Sequence, residues 1–428
     1  MNEKTQQIER AIAVTVIKKG SDRQLALEHL DELAFLAETA GAVVIEKFYQ
    51  ELAKPNSSTL LGKGKVEELK IEVDENEISL VIFDEDLSPV QVRNLEKSLN
   101  IKVLDRSGII LDIFANRART LEAKTQVELA QMQYLMPRLT RMWTHLSKQY
   151  GGIGTKGPGE TQIETDRRIV RTKIQYLKEK LANIEIHREN QRKSRENLAS
   201  FALVGYTNAG KSTLMKTLTD ADVYIEDKLF ATLDTTVRGM ELPNGTKSLL
   251  SDTVGFIRKL PTHLVASFRS TLAEAKESDV LIHIVDISNE YFRDHIKVVE
   301  ETLDSLKIND IPTILVFNKI DMIEERIGLA SIKEEYPNAV FISASRGINI
   351  NTLLEEMQRV YDENSHDYFI MLPYSESHKV SKLYNVGDIL EQKDSDEGSM
   401  YHMRLQPDKI ELFKNLFGKY VIDNFVQE

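Results

Sequence analysis

The sequence contains no cysteine. That absence excludes a disulfide framework, a thiol nucleophile, Cys-ligated zinc and iron–sulfur clusters, and it fits a reducing compartment. The nine histidines (His29, His145, His187, His263, His283, His295, His366, His378 and His402) never form H-x-H or H-E-x-x-H, so no zinc site built on one helix is expected. No stretch approaches the roughly 18 apolar residues of a membrane span. The opening MNEKTQQIER mixes charges of both signs, unlike a signal peptide, and the expectation is a soluble cytoplasmic protein. Low-complexity tracts are missing too, and with 41% hydrophobic and 29% charged residues the chain reads as globular rather than disordered or fibrous. Positive charge is in deficit, the formal net being -12. Taken over the whole chain, this speaks against a nucleic-acid partner, because affinity for phosphate backbones comes from Lys and Arg.

What is present fills 428 residues, about three domains at roughly 150 residues each. The first third alternates β-branched runs with amphipathic stretches, the pattern of an α/β layer. Strands are expected at Ala11–Ile17, Val43–Phe48, Leu80–Phe83 and Lys102–Asp105, with helices near Gln24–Thr39, Lys63–Val73 and Ser88–Leu99. From about Ile109 to Leu146 there is no Gly and no breaker except Pro137, which predicts one or two long helices. The Gly-rich run Tyr150–Glu160 follows and is expected to be non-helical. Beyond it, Ile163, Val170, Ile174, Leu177, Leu181 and Ile184 describe a heptad seam. The economical arrangement is an antiparallel helical hairpin tipped by the glycine loop, its charged tail Glu189–Glu196 serving as a linker. A second α/β pattern opens at Phe201–Gly205 and continues through Asp279–Asp286, Thr313–Asn318 and Val340–Ser343 to about Asp362. The last segment, from Tyr368, reads as a small α/β or β-rich unit.

Chemistry enters at Gly205-Tyr206-Thr207-Asn208-Ala209-Gly210-Lys211-Ser212, which matches G-x4-G-K-[ST] between an apolar strand and the helix Thr213–Leu218. Glycines let backbone N–H groups curl around phosphate oxygens at a helix N-terminus, where the dipole favours anions. Lys211 is placed to reach the β- and γ-phosphates, and the Ser212 hydroxyl to ligate Mg2+. Downstream, Asp252-Thr253-Val254-Gly255 closes the run Leu249–Leu250. Asp252 is then placed to hold the metal through water, and the Gly255 N–H to sense a γ-phosphate. After the strand Ile314–Phe317 comes Asn318-Lys319-Ile320-Asp321. A carboxylate there can accept from the N1–H and 2-amino group of guanine, a donor pair adenine lacks, which selects GTP over ATP and disfavours a metabolic kinase. A helix N-cap is the plain alternative for Asp321. Ser343-Ala344-Ser345 ends the next short strand and can offer a backbone N–H to the base oxygen.

With these four elements in this order, the chain resembles the translation-factor-related GTPases, and within them the HflX family of ribosome-associated GTPases. The carrying residues are Gly151–Arg168 (GGIGTKGPGETQIETDRR), Phe230–Asp234, Leu61-Gly-Lys-Gly-Lys65 and the position of an N-terminal domain before the GTPase domain. The resemblance covers residues 1 to about 363 and covers the C-terminal unit poorly. It implies an α/β fold with an N-terminal α/β domain carrying a long antiparallel helical hairpin (1–198, divided near 107), a P-loop GTPase domain with a doubly wound, mostly parallel sheet (199–363), and a small C-terminal α/β unit (364–428). It also implies that Phe230-Ala231-Thr232-Leu233-Asp234 is the first switch, with Thr232 binding Mg2+ and closing over the γ-phosphate. The residues alone show only a Thr-rich loop there. Lys211, Thr232 and Gly255 are thus the groups expected to carry hydrolysis, with Ser212, Thr232 and Asp252 around the metal.

Two departures from a Ras-like site bear on mechanism. Phe256 stands where such enzymes carry a water-orienting Gln. A phenyl ring cannot orient water, so intrinsic hydrolysis is expected to be slow. Asn208, in the phosphate loop, accompanies in related GTPases a potassium ion that substitutes for an arginine finger; an ordinary loop-forming Asn is the alternative.

From Met136 to Lys180 there are ten Lys/Arg against four Asp/Glu, a local net of +6, together with Trp143, the only Trp, and His145 and Tyr150. A basic, aromatic, glycine-tipped projection suits RNA phosphates and unstacked bases, although a solvated helix face explains the charges equally well. The resemblance implies that this hairpin, around Arg138–Lys180, contacts rRNA of the large (50S) ribosomal subunit, and that the protein splits or rescues stalled or hibernating ribosomes. The alternative is a GTP-dependent signalling switch whose heptad seam acts as a clamp or dimer seam; a monomer is expected otherwise. The Leu61–Lys65 element precedes a helix and is open to three readings: a second nucleotide site, an rRNA contact or plain structure.

Overall fold

The computed structural model describes residues 9–142, 158–193, 198–219, 229–230, 233, 236–259, 274–308, 310–323, 326–363, 365–384, 386–405 and 409–422. The chain forms two compact units. The first comprises Met1–Glu185, Ile225–Asp234 and Val254–Leu272, and the second Ile186–Tyr224, Thr235–Thr253 and Ala273–Glu428.

In the first unit, four parallel strands lie in the order β2-β1-β3-β4. They are β1 (Glu9–Lys18), β2 (Ala42–Leu52), β3 (Leu80–Phe83) and β4 (Lys102–Asp105). Fully buried β3, Leu-Val-Ile-Phe, is the continuous apolar run that a parallel strand covered on both faces requires. The crossover helices α1 (Arg23–Ala40), α2 (Lys63–Glu75) and α3 (Pro89–Leu99) have legible ends. Asp22 caps α1 by accepting from the N–H groups of Gln24 and Leu25, and Ser88 with Gln91 forms a reciprocal capping box on α3, with Pro89 in its first turn.

The long helical stretch expected from Ile109 divides at Ala118–Thr120 rather than at Pro137. Helix α4 (Arg106–Arg117) ends on Ala118 in extended backbone, and α5 (Leu121–Met142) contains Pro137. Thr120 explains the restart, since its hydroxyl accepts from the Ala123 N–H at 3.1 Å. The next helix, α6 (Pro158–Lys193), begins inside the run expected to be non-helical. Pro158 at its first position supplies the preset φ that a helix start tolerates. Residues 150–157, with Trp143, His145, Lys148 and Lys156, lie outside the described residues. Of the heptad seam, Leu177 is fully buried and Val170, Ile174, Leu181 and Ile184 are half-buried, while the Lys173 ammonium pairs with Glu128 of α5 at 2.9 Å.

The second unit holds a six-stranded sheet in the order β10-β9-β8-β5-β7-β6. Its strands are β5 (Ala199–Gly205), β6 (Thr236–Glu241), β7 (Lys247–Asp252), β8 (Val280–Asp286), β9 (Thr313–Asn318) and β10 (Val340–Phe341). All neighbours are parallel except the antiparallel hairpin β6–β7. Helix α7 (Lys211–Thr219) follows β5 directly. The C-terminal segment of this unit is an antiparallel sheet of β11 (His366–Pro373), β12 (Asp388–Asp394), β13 (Gly398–Leu405) and β14 (Val421–Ile422), ordered β12-β13-β11-β14. The helix Ile410–Phe417 adds Phe413 and Phe417 to its core.

Candidate nucleotide-binding site

In an open parallel sheet, ligands bind at the carboxyl ends of the strands, and the second unit places its polar residues there. Strand β5 ends in Gly205, whose φ is +152° and where a Cβ would stand 2.3 Å from the Ile284 carbonyl oxygen. At Gly210, φ is +95° and a Cβ would meet the Asn318 amide at 2.2 Å. Neither position admits another residue, so the spelling of the loop follows from its geometry. Asn208 sits between them in left-handed backbone, φ 61°, which Asn tolerates better than most residues. That backbone fits the loop-forming reading of Asn208.

The Lys211 ammonium is almost fully buried and donates to the carbonyls of Gly205 at 3.0 Å and Tyr206 at 2.7 Å. Burial pushes its pKa down to about 8, against the favourable charge of Asp252. The Ser212 hydroxyl lies 2.7 Å from the wholly buried Asp252 carboxylate. Two hard oxygen donors this close are the kind of set that Mg2+ accepts beside phosphate oxygens. Thr253 is anchored next to it, its hydroxyl donating to the Leu203 carbonyl at 2.6 Å.

Asn318, at the end of β9, ties the base end to the phosphate loop. Its amide donates to the Ala209 carbonyl at 2.9 Å, and its oxygen accepts from the Ala344 N–H at 2.9 Å. Lys319, with φ 66°, pairs with Asp286 at 2.7 Å. The Ser343 hydroxyl and then Arg346, at 3.1 Å, hold the Asp321 carboxyl below the usual range, so it stays an acceptor. Asp321 lies in a single 3-10 turn, Ile320–Met322, and the cap of that turn is Lys319 rather than Asp321. Ser343 and Ala344 are buried, while Ser345 is exposed.

Gly205 to Ser212, Asp252, Thr253, Asn318 to Asp321 and Ser343 to Ser345 therefore belong to one unit. Val254, Gly255, Phe230 and Leu233 fall in the other. Ala231, Thr232 and Asp234 lie outside the described residues. The Leu61–Lys65 element also sits in the first unit, where Gly62 caps α2 and donates its N–H to Gln50 at 2.8 Å, and Lys65 pairs with Glu68 at 2.6 Å.

Two neighbours of the loop escape sequence reasoning. The His295 imidazole stacks on the Tyr206 ring, centroids 3.9 Å apart and planes within 7°. His283, buried in β8, is kept neutral down to about pH 4 by burial and then by the Lys211 charge. A lone polar residue inside the apolar strand Val280–Asp286 was its only signal.

A phosphate loop on a parallel strand, a buried carboxylate against its serine and an Asn-Lys-x-Asp turn joined to it define a P-loop GTPase domain. Comparison with known proteins agrees. Residues 200–319 match the family model described as 50S ribosome-binding GTPase, residues 27–115 that of GTP-binding GTPase N-terminal, and residues 117–195 that of GTP-binding GTPase Middle Region. The chain is 47% identical to GTPase HflX of Flavobacterium psychrophilum over 88% of its own length and 95% of that protein. To GTPase HflX of Escherichia coli it is 41% identical, over 87% and 88%. It is also similar to the crystal structure of a GTP-binding protein from Sulfolobus solfataricus in complex with GDP, at 25% identity and a TM-score of 0.43, covering 82% of this chain and 99% of that one. The chain belongs to the HflX family, and it binds and hydrolyses GTP.

Proposed function

We propose that the chain is a ribosome-associated GTPase that engages the large (50S) subunit in its GTP-bound form and separates stalled or hibernating ribosomes. The observation that carries the reading is the exposed basic face of α6, with Arg168, Arg171 and Lys178 all solvent-facing in a chain of net charge -12. A local cluster of this kind supplies phosphate affinity that the acidic remainder does not. The family description over residues 200–319, which names 50S ribosome binding, supports the same partner. Arg138 is not part of that face. Its guanidinium is spent on buried Asp105 at 2.7 Å and stacks on Tyr134 at 3.4 Å. The second reading, a GTP-dependent switch using the heptad seam as a clamp or dimer seam, has less of that seam to offer, since Leu177 is buried and Val170, Ile174, Leu181 and Ile184 are half-buried.

In the proposed cycle Lys211 leaves its two carbonyls for the β- and γ-phosphates. Ser212, Thr232 and Asp252 would hold Mg2+, Asp252 through water, and the ion would supply positive charge against that developing on the transferred phosphoryl group. Asp321 reads guanine, and Gly255 offers its N–H to the γ-phosphate. Phe256 supplies no polar group to orient water, so contacts made on the ribosome complete the site. GTP-bound contacts drive separation, and hydrolysis releases the factor.

The test is co-sedimentation of GTP-loaded protein with purified large subunits. Replacing Arg167, Arg168 and Arg171 by Ala should weaken binding about tenfold or more and reduce the salt slope by about 2–3, with nucleotide affinity intact. Unchanged co-sedimentation would remove the RNA-contact reading.

A further inference from the structure

The first sheet reverses its winding between β1 and β3, which is where an open α/β sheet ordinarily receives a ligand. Here the crevice receives residues from far along the chain. Asp84, directly after β3 and 1% exposed, accepts from Arg106 at 2.7 Å and from the Lys259 ammonium at 2.6 Å, with Arg258 at 3.5 Å. Arg106, equally buried, spans Asp84 and Glu32, and its Nε donates to the Arg258 carbonyl at 3.1 Å. His29, on α1 beside this cluster, is pushed down to about 3 by burial and then by Arg258, so it adds no positive charge that would compete for the carboxylate. Lys259 adopts left-handed backbone, φ 52°, a conformation that persists in a non-glycine residue when its surroundings over-determine it. Phe230, at the start of the first switch, has φ 54° and packs edge-on against Phe114 with centroids 4.6 Å apart.

Arg258 and Lys259 stand three and four residues after Gly255. With Phe256 in place of a water-orienting side chain, the backbone of this short segment, through the Gly255 N–H, is the part of the second switch region that bears on the γ-phosphate before any partner completes the site. Its exact position therefore bears directly on rate. We infer that Asp84, backed by Arg106 and Glu32, is a positioning residue for GTP hydrolysis: it fixes the segment after Gly255 by holding Lys259 and Arg258 and touches no nucleotide itself. This rests on the assignment of Gly255 to the γ-phosphate.

Steady-state GTP hydrolysis by the full chain tests it. Asp84→Asn should lower kcat at least fivefold while the KM for GTP stays within about twofold. The more exposed Lys259→Gln, which leaves the buried Asp84–Arg106 pair intact, should do the same, and Lys259→Arg should restore most of the rate. Because both partners act through one contact, the double variant should be no slower than Asp84→Asn alone. Wild-type kcat in Lys259→Gln, a rise in kcat, or additive losses in the double variant would overturn the inference. Gly255→Pro, which removes the backbone N–H and is used only if GDP affinity is retained, separates the two readings. If it hydrolyses GTP normally, the γ-phosphate assignment fails; if it is inactive while Lys259→Gln is unaffected, only the positioning role fails.

Discussion

Lys211 shows what the phosphate loop requires of one residue. Its ammonium is buried against two backbone carbonyls, and its pKa of about 8 lies below the ordinary Lys value of 10.5. A base whose folded pKa is depressed opposes folding at pH values below it, and that cost is relieved as pH rises from about 8 to 10.5. A bound phosphate reverses the preference by favouring the charged form. GDP binding should therefore take up protons, with uptake larger at pH 8.5 than at pH 7. Calorimetry in two buffers of different ionisation enthalpy measures this, and zero uptake at both pH values would refute a depressed Lys211. At this scale the sequence was most informative, since Gly205 and Gly210 are demanded by close approaches, of the Ile284 carbonyl and of the Asn318 side-chain amide, that leave no space for a Cβ. His295 and His283 were illegible because each gains its role from a partner remote in sequence, a Tyr206 ring or a lysine charge.

Among the elements, the junction of β4, α4 and α5 depends on one carboxylate. Asp105, wholly buried, accepts from the Leu87 and Gly108 N–H groups at 3.1 and 2.9 Å, and from Tyr134 and Arg138 at 2.7 Å each. Asp105→Ala leaves those donors buried without their acceptor, which costs about 3–5 kcal/mol. The unfolding transition of the first unit should drop by about 6 °C or more in calorimetry; a shift under 2 °C would show the cluster to be dispensable. Strands β3 and β4 were expected at their observed bounds because short apolar runs between capped helices admit no other register. The α4–α5 break was missed because Ala118–Arg119–Thr120 carries no Gly or Pro, and only the Thr120 cap in three dimensions marks the restart. The start of α6 was placed too late because glycine content outweighed the first-turn preference of Pro158.

Over the whole molecule, a net charge of -12 argues against RNA only if charge is averaged. The six-stranded sheet houses a guanine-nucleotide site, while the basic surplus concentrates around α6, where binding responds to the local field. The central claim is that GTP turns this arrangement towards the large ribosomal subunit. The most direct measurement is co-sedimentation of the full chain with purified large subunits, across a salt series, in GDP, GTP and a non-hydrolysable GTP analogue. Binding should be strongest with the analogue, weak with GDP, and should fall steeply with salt. Equal pelleting in all three nucleotide states, or none in any of them, would contradict the account.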